Sequence, residues 1–348
     1  MKPVDLSLSV VIIGRNEGQR LARCLESVAR MNYPMDRCEL IYVDSNSSDG
    51  SRELASALGA RVISIDAGKL TAARARNAGW RSAKGPLILF LDGDTILHPD
   101  FVQRAVATLA EPGVAVVYGN RRETHPTSSI YNRVLDIDWI APAGTSESCG
   151  GDALMRRSAL EQVAGYDADL IAGEEPDLCR RLRATGALIL HIDAPMTGHD
   201  FAIARWSQYW RRATRTGYAY AEIAQRYRNT PDPLWQAQSR RNLIQAPAYL
   251  LASGGAIGIS LASHSLIPIA ALALIAAAIV VRTALRAAPK IGDRYTLLLY
   301  ALHSHVQQFP LLAGQIHFYL MNRRNVSQQL IEYKDTTHER PRTTDASL

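Results

Sequence analysis

The chain has 348 residues, of which 47% are hydrophobic and 21% charged, with a formal net charge of +6. That length accommodates one large or two ordinary domains. Its four cysteines, Cys24, Cys38, Cys149 and Cys179, are too few for a disulfide scaffold and lack metal-ligand spacing, which leaves them as reduced residues of a cytosolic domain. The positive charge does not point to nucleic acid, because much of the arginine lies just before and between apolar stretches, where an anionic membrane surface is the better partner.

The first residues, Met1-Lys2-Pro3-Val4-Asp5, run directly into a strand-like stretch, so no signal peptide is expected. A β-rich run, Leu8 to Ile13, stops at Gly14-Arg15-Asn16-Glu17-Gly18, after which Leu21, Leu25 and Val28 recur at helical spacing. Leu40 to Val43 predicts a second strand ending in Asp44, and Asp49 is the expected N-cap of the helix that follows. Arg61 to Ile65 is the third strand, Ala72 to Ser82 a helix, and Leu87 to Leu91 a fourth strand running into Asp92-Gly93-Asp94. A helix from about Pro99 to Leu109 and a strand from Val114 to Tyr118 follow, and residues 120–149 then lose the rhythm and read as a long loop or lid. Strands alternating with helices give an α/β fold with a mostly parallel sheet flanked by helices. Ligands bind beyond the carboxyl ends of such strands, where the polar clusters at Asn16, Asp44 and Asp92–Asp94 fall.

Past Ile192 the chain becomes rich in arginine and aromatics, and Trp206, Tyr209 and Trp210 suit a helix lying at headgroup level. Two apolar runs, Leu243 to Ala262 and Leu266 to Val281, approach the roughly 20 residues that a bilayer crossing needs. Arg240 and Arg241 precede the first, and Arg282, Arg286, Lys290 and Arg294 follow the second; the positive-inside rule puts both groups in the cytosol, with the turn near His264 outside. A third segment, Tyr295 to Leu320, has the polar centre His303, His305, Gln307 and Gln308, so it is expected to re-enter or lie flat rather than span, which keeps Arg323 and Arg324 inside. The tail after Lys334 is polar. This divides the chain into a catalytic domain over 1–202, interfacial helices over 203–241, membrane helices over 242–322 and a tail over 323–348.

Two aspartates one residue apart at the end of a buried strand present hard oxygen ligands suited to Mg²⁺ or Mn²⁺, although in isolation an Asp-Gly turn is the better explanation of the pair. Their companions decide. Val10-Val11-Ile12-Ile13-Gly14-Arg15-Asn16-Glu17, Val43-Asp44, Ala73-Arg74-Ala75-Arg76-Asn77-Ala78-Gly79, Asp92-Gly93-Asp94, Gly150-Gly151-Asp152-Ala153-Leu154-Met155 and Gly173-Glu174-Glu175-Pro176-Asp177 occur in an order and spacing that resembles the family 2 glycosyltransferases, which have the GT-A fold. The resemblance covers residues 7 to about 200.

It implies a nucleotide-sugar donor, with UDP favoured, contacted by Asn16, Glu17, Asp44, Arg76, Asn77 and Asp92, and a divalent cation, Mg²⁺ or Mn²⁺, held by Asp92, Asp94 and His199. Gly150, Gly151 and Asp152 fall on the acceptor side. The catalytic base aligns with Glu175, or with Glu174 if the register slips by one; the family commonly has Glu-Asp where this chain has Glu174-Glu175. Acids at a helix N-terminus are also favoured by the helix dipole, whatever their chemistry. His191 is expected to be structural. Together these imply an inverting transferase on the inner face of the cytoplasmic membrane, acting on a hydroxyl of a membrane-associated acceptor such as a lipid-linked glycan, glycolipid or exopolysaccharide precursor. The alternatives are a polyprenyl-phosphate sugar transferase, which needs no base, and a non-catalytic nucleotide-sugar-binding scaffold.

Overall fold

The computed structural model describes residues 7–66 and 68–324. The first five residues and the polar tail after Lys334, both singled out in the sequence, lie outside the described residues. The N-terminal part alternates as β1 (Leu8–Gly14), α1 (Gln19–Ala29), β2 (Cys38–Asp44), α2 (Ser51–Ala57), β3 (Arg61–Ser64), α3 (Ala72–Ser82) and β4 (Leu87–Asp92). These strands lie side by side in the order β3-β2-β1-β4, all parallel. The β1 side chains are buried on both faces, which explains why the segment reads as an uninterrupted apolar run. Leu8, Val10 and Ile12 join a core with α1, while Val11 and Ile13 join a second core with α3 on the opposite face.

The chain continues through β5 (Thr95–Leu97), α4 (Phe101–Leu109), β6 (Val114–Glu123), α5 (Ile130–Asp138), β7 (Gly144–Thr145), β8 (Ala153–Arg156), α6 (Arg157–Gln162), α7 (Glu174–Ala184) and β9 (Leu188–His199). The sheet extends as β4-β8-β6-β9-β5, with β7 also on β9. β8 opposes β4 and β6, and β5 and β7 oppose β9, so β1, β2, β3, β4, β6 and β9 share one direction and the sheet is mostly parallel, as expected. Sheet growth reverses at β1, and the register pairs Gly14 with Asp44 and Ile13 with Asp92. The loops after β1, β2 and β4 therefore open onto one crevice, the usual ligand position in such sheets.

Two local expectations need correction. The N-cap of α2 is Gly50 at φ 81°, not Asp49, whose carboxylate accepts from the Ser51 N–H at 3.1 Å one residue further in. Residues 120–149 are not one long loop: β6 runs on to Glu123, and α5 follows, capped by the Ser129 hydroxyl accepting from Asn132 N–H at 2.9 Å. Asp136 of α5 forms a paired hydrogen bond with Arg122 and accepts from the Glu123 N–H at 2.7 Å, which clamps the helix to the strand end. All four cysteines are free, and Cys149 and Cys179 face each other in the core at 3.5 Å between sulfurs.

The C-terminal part consists of α8 (Trp206–Arg226), α9 (Gln236–Ser263), α10 (Ile267–Ala287), α11 (Arg294–Val306) and α12 (Gln308–Arg323). Gln236–Ser263 and Ile267–Lys290 are long and apolar enough to cross a membrane, and their most apolar windows are 17% and 0% buried. A hairpin serving as the core of a soluble protein would bury those windows. Here Leu251, Leu261, Leu266 and Ile267 are exposed instead. The third apolar segment is two helices that meet at Gln307 and Gln308, and neither is a candidate span. α12 lies against α8, burying Leu311, Gly314, Gln315 and Phe318.

Tyr209, expected among the interfacial aromatics, is buried inside the protein and meets His303 Nδ1 at 2.8 Å. Gln208 is a cap, its side chain accepting from the backbone N–H groups of Ala204 and Arg205 at 3.0 Å. α8 and α12 cross through glycine: a Cβ on Gly314 would overlap the Thr214 carbonyl, and one on Gly217 the Leu311 carbonyl. Because backbone rather than a flexible side chain opposes the new atoms, Gly314→Val is expected to destabilise the protein by about 2–4 kcal/mol. A thermal melt of the detergent-solubilised variant checks this, and a midpoint equal to the wild type would show that the crossing adjusts freely.

Candidate active site

The loop after β1 is tied to the loop after β2. Asn16, at φ 54°, donates its N–H to Ser47 Oγ at 2.9 Å, and its side-chain oxygen accepts from the Ser48 N–H at 2.8 Å. Glu17 is held by Arg20 at 3.0 Å and packs beside Gly93. Asp44, at the end of β2, is fully buried, accepting from Tyr42 Oη at 3.1 Å and from the Ser47 N–H at 2.9 Å, with Arg52 Nε at 3.7 Å. The β1 and β2 loops thus form one rigid rim of the crevice.

Its centre is a group of carboxylates around one arginine. Arg76, on α3, is 2% exposed; Nη2 donates to Asp92 at 2.9 Å, and Nη1 lies 3.0 Å from Glu174 and 3.2 Å from Glu175. Glu174 and Glu175 open α7, where the unsatisfied N–H groups of the first turn favour acids. The two differ in access. Glu174 is buried with its carboxylate on Arg76, and burial together with the neighbouring Glu175 raises its pKa to about 7. The Glu175 side chain is 18% exposed against 6% for Glu174, making it the one that a molecule in the crevice can reach.

Behind Asp92 stands Asp152, buried, accepting from the Asp92 N–H at 3.0 Å and from Thr197 Oγ1 at 2.8 Å. Burial and the nearby Asp92 raise its pKa to about 6. Asp152 therefore supports the β4 end from within the protein. Asn77 is likewise turned inward: its amide donates to Tyr166 O at 2.7 Å and accepts from Tyr166 N–H and Trp80 Nε1 at 2.9 Å each. The neighbour of Arg76 fixes the Tyr166 loop. His191 bridges Pro142 O at 2.9 Å and Asn120 Oδ1 at 3.0 Å, the structural role expected of it.

Gly151 approaches this group so closely that a Cβ there would lie 2.5 Å from Arg76 Nη2 and 2.8 Å from Asp92 Oδ2, while one on Gly150 would overlap the Arg121 guanidinium. Gly151→Ala is therefore expected to break the Arg76–Asp92 pair. Metal-dependent donor binding, measured by calorimetry, should weaken at least about tenfold, since a displaced charge pair alone is worth that much. Unchanged donor affinity would mean that the pair plays no part in binding.

Asp94 follows Asp92 by two residues, and His199 ends β9 opposite Thr95 of β5. Ligand atoms of Asp92, Asp94 and His199 all lie within 4.8 Å of one another, with His199 Nε2 3.4 Å from Asp94 Oδ1. The three residues singled out for a metal are thus brought together. Hard carboxylate oxygens with one imidazole suit a small divalent cation, and Asp92, Asp94 and Glu175 alone outnumber the nearby guanidiniums of Arg76 and Arg121. The donor set fits the ion on both chemistry and charge.

The sequence reading missed the aromatic wall beside the cluster. Trp139 stacks on Phe201 at 4.4 Å and meets the His199 ring at 5.2 Å, with Arg121 over its face at 5.3 Å. Its signal lay in Arg121, Arg122 and Trp139 within the supposed loop. A cavity of about 700 Å³ opens beside this wall, lined by Arg121, Trp139, Pro195 and Met196 among others.

Comparison with known proteins bears on the family and the fold. The family model for glycosyl transferase family 2 matches residues 9–164, and that for glycosyl transferase family group 2 matches residues 87–285, more than half of the chain. The chain belongs to the family 2 glycosyltransferases. Glycosyltransferase AglE of Haloferax volcanii is 34% identical over 190 residues, covering 51% of this chain and 62% of that protein. An N-acetylglucosaminyltransferase of Bradyrhizobium diazoefficiens is 27% identical, over 49% of this chain and 39% of its own length. The chain thus spans less than two thirds of these curated relatives. Among solved structures, the mannosyltransferase PcManGT of Pyrobaculum calidifontis, in complex with GDP-Man and Mn²⁺, superposes with a TM-score of 0.62 at 22% identity, over 91% of this chain and 90% of that one. That likeness establishes the GT-A fold for this family 2 member.

Proposed function

We propose that the protein transfers a sugar, with inversion at the anomeric carbon, from a nucleoside-diphosphate sugar to a hydroxyl of a membrane-associated acceptor. The observation that carries the reading is the joining, at the ends of β4 and β9, of Asp92, Asp94 and His199, with Glu175 across Arg76 from them. UDP is the nucleotide favoured by the sequence resemblance; the GDP-Man held by the Pyrobaculum mannosyltransferase makes a guanine donor the comparison to run beside it.

Asp92, Asp94 and His199 would hold a divalent cation, which offsets the charge of the departing diphosphate. Asn16 and Glu17 stand on the rim that receives the nucleotide, Asp44 at the end of β2 would contact the base, and Arg76 faces the donor side of the crevice. Glu175 takes the proton of the acceptor hydroxyl as its oxygen attacks the anomeric carbon and the bond to the diphosphate breaks with its electron pair. Glu174 keeps Arg76, and through it Asp92, in place. Gly150 and Gly151 let the backbone approach the acceptor side.

The two long helices with exposed apolar windows favour a membrane tether, and the arginines at their near ends favour a cytosolic catalytic domain fed by cytosolic donors. The domain limits at about 202 and 241 belong to the same proposal, the second falling inside α9. The test is to incubate membranes containing the protein with radiolabelled UDP- and GDP-sugars and Mn²⁺, then extract with organic solvent. Label in the lipid-extractable fraction, absent with Asp94→Ala membranes, is the expected result; label only in water-soluble hydrolysis product would contradict a membrane acceptor.

A further inference from the structure

Three arginines that the site above does not use meet at the base of the long hairpin. Helices α9 and α10 are joined by only His264, Ser265 and Leu266, so they run antiparallel and the start of α9 lies level with the end of α10. At that level Arg241 of α9 and Arg282 and Arg286 of α10 line a cavity of about 680 Å³, closed on another side by Tyr300 and Ser304 of α11. None of the three guanidiniums has a hydrogen bond or ion pair among the described residues. The one carboxylate on the lining, Asp138, accepts from Tyr300 Oη at 3.1 Å and keeps its charge, which leaves three guanidiniums against one carboxylate. Arg241, Arg282 and Arg286 are exposed at the mouth of this polar cavity, where an entering anion can reach all three, and the planar guanidinium fork suits phosphate oxygens.

The cavity also has two neighbours that identify its occupant. Above it, the exposed apolar surfaces of α9 and α10 suit a hydrocarbon chain. Towards the catalytic domain, an adjoining cavity shares Asp138, Tyr220, Arg241 and Gln307 and adds Tyr209 and Arg212. Arg212 lies over the Phe201 ring at 4.8 Å, and Phe201 meets the His199 ring at 5.1 Å. The adjoining cavities and these two ring contacts therefore line a route from the arginines towards His199.

We propose that this cavity seats the phosphate of the lipid-linked acceptor, with the lipid chain along α9 and α10 and the hydroxyl-bearing end directed past Phe201 to Glu175. A phosphate held by Arg241, Arg282 and Arg286 is an anchor and not the nucleophile, because the metal cluster lies beyond Arg212 and Phe201. The proposal rests on the transferase reading and names the chemical class of its acceptor.

The test uses the full chain in detergent micelles, with a long-chain polyprenyl phosphate, the corresponding polyprenol and phosphatidylglycerol as probes, each titrated by native mass spectrometry. The polyprenyl phosphate is expected to bind at least tenfold more tightly than either of the others. The triple variant Arg241→Gln, Arg282→Gln, Arg286→Gln should lose that advantage, and the triple lysine variant should keep most of it. Equal binding of polyprenol, or an unchanged triple glutamine variant, would overturn the site; equal binding of phosphatidylglycerol would make it a bulk headgroup contact and overturn the acceptor assignment. Mn²⁺-dependent binding of nucleotide-sugars is measured on the same samples. Its absence from the wild type would sink the transferase reading separately, while its absence from the triple variant alone directs the comparison to the single glutamine variants, of which at least one must lose lipid-phosphate affinity tenfold for the proposal to stand.

Discussion

Asp94→Ala is expected to lower sugar transfer on the order of 10³-fold or more, because in the proposed mechanism it removes one of three residues that would hold the ion offsetting the charge of the leaving diphosphate. Asp94 is buried, with His199 at 3.4 Å and Asp92 in the same cluster, so its loss leaves two ligands from separate strands. The defect should appear in turnover and in the concentration of Mn²⁺ needed for half-maximal rate, and high Mn²⁺ should restore part of the activity. Steady-state rates over a Mn²⁺ series provide the check. A variant with wild-type turnover and an unchanged Mn²⁺ requirement would remove Asp94 from the metal site.

Glu175→Gln should reduce turnover about 10²- to 10⁴-fold, the usual contribution of a general base, with the KM for the donor changed little. The amide has nearly the shape of the carboxylate but cannot accept the proton. Glu174→Gln has a different signature. Its carboxylate sits 3.0 Å from Arg76, which also holds Asp92 at 2.9 Å, so the loss is expected in donor affinity and stability before turnover. Should Glu174→Gln lose turnover while Glu175→Gln keeps it, the base is Glu174. If Glu175→Gln retains activity only with a lipid phosphate as the attacking group, the enzyme transfers to phosphate and needs no base.

The first half of the fold was legible because each buried parallel strand is a continuous apolar run that ends in a polar loop. Leu8–Gly14 and Leu87–Asp92 announce themselves in this way, and their ends carry Asn16 and Asp92. The second half was harder. β5 and β7 are three and two residues long, and β9 carries His191, Asp193 and Pro195 within it. No apolar period marks such strands; pairing with neighbours makes them. α5 was hidden for a related reason, since its Asn132 and Asp136 serve the Glu123–Arg122 strand end and break the amphipathic pattern.

At the site, residue type and spacing pointed to Asp92 and Asp94, whereas His199, more than a hundred residues away, was implied only by the family resemblance; strand ends converging on one crevice bring the three together. The amide of Asn77, singled out with Arg76, points elsewhere. Adjacent residues on a helix point about 100° apart, so when Arg76 faces the carboxylates Asn77 faces the Tyr166 loop. Similarly, the aromatics of α8 carried no mark to separate Tyr209, which packs inside, from Trp206, which is exposed.

The central claim is that the ends of β4 and β9 form a metal-dependent nucleotide-sugar site. Calorimetric titration of UDP- and GDP-sugars into the detergent-purified chain, with Mn²⁺ and then with the ion chelated, tests it most directly. The prediction is binding of one nucleotide class at micromolar to millimolar levels that disappears on chelation and in Asp94→Ala. Binding that survives both would contradict the metal site, and no binding of any nucleotide-sugar in the presence of Mn²⁺ would contradict the function.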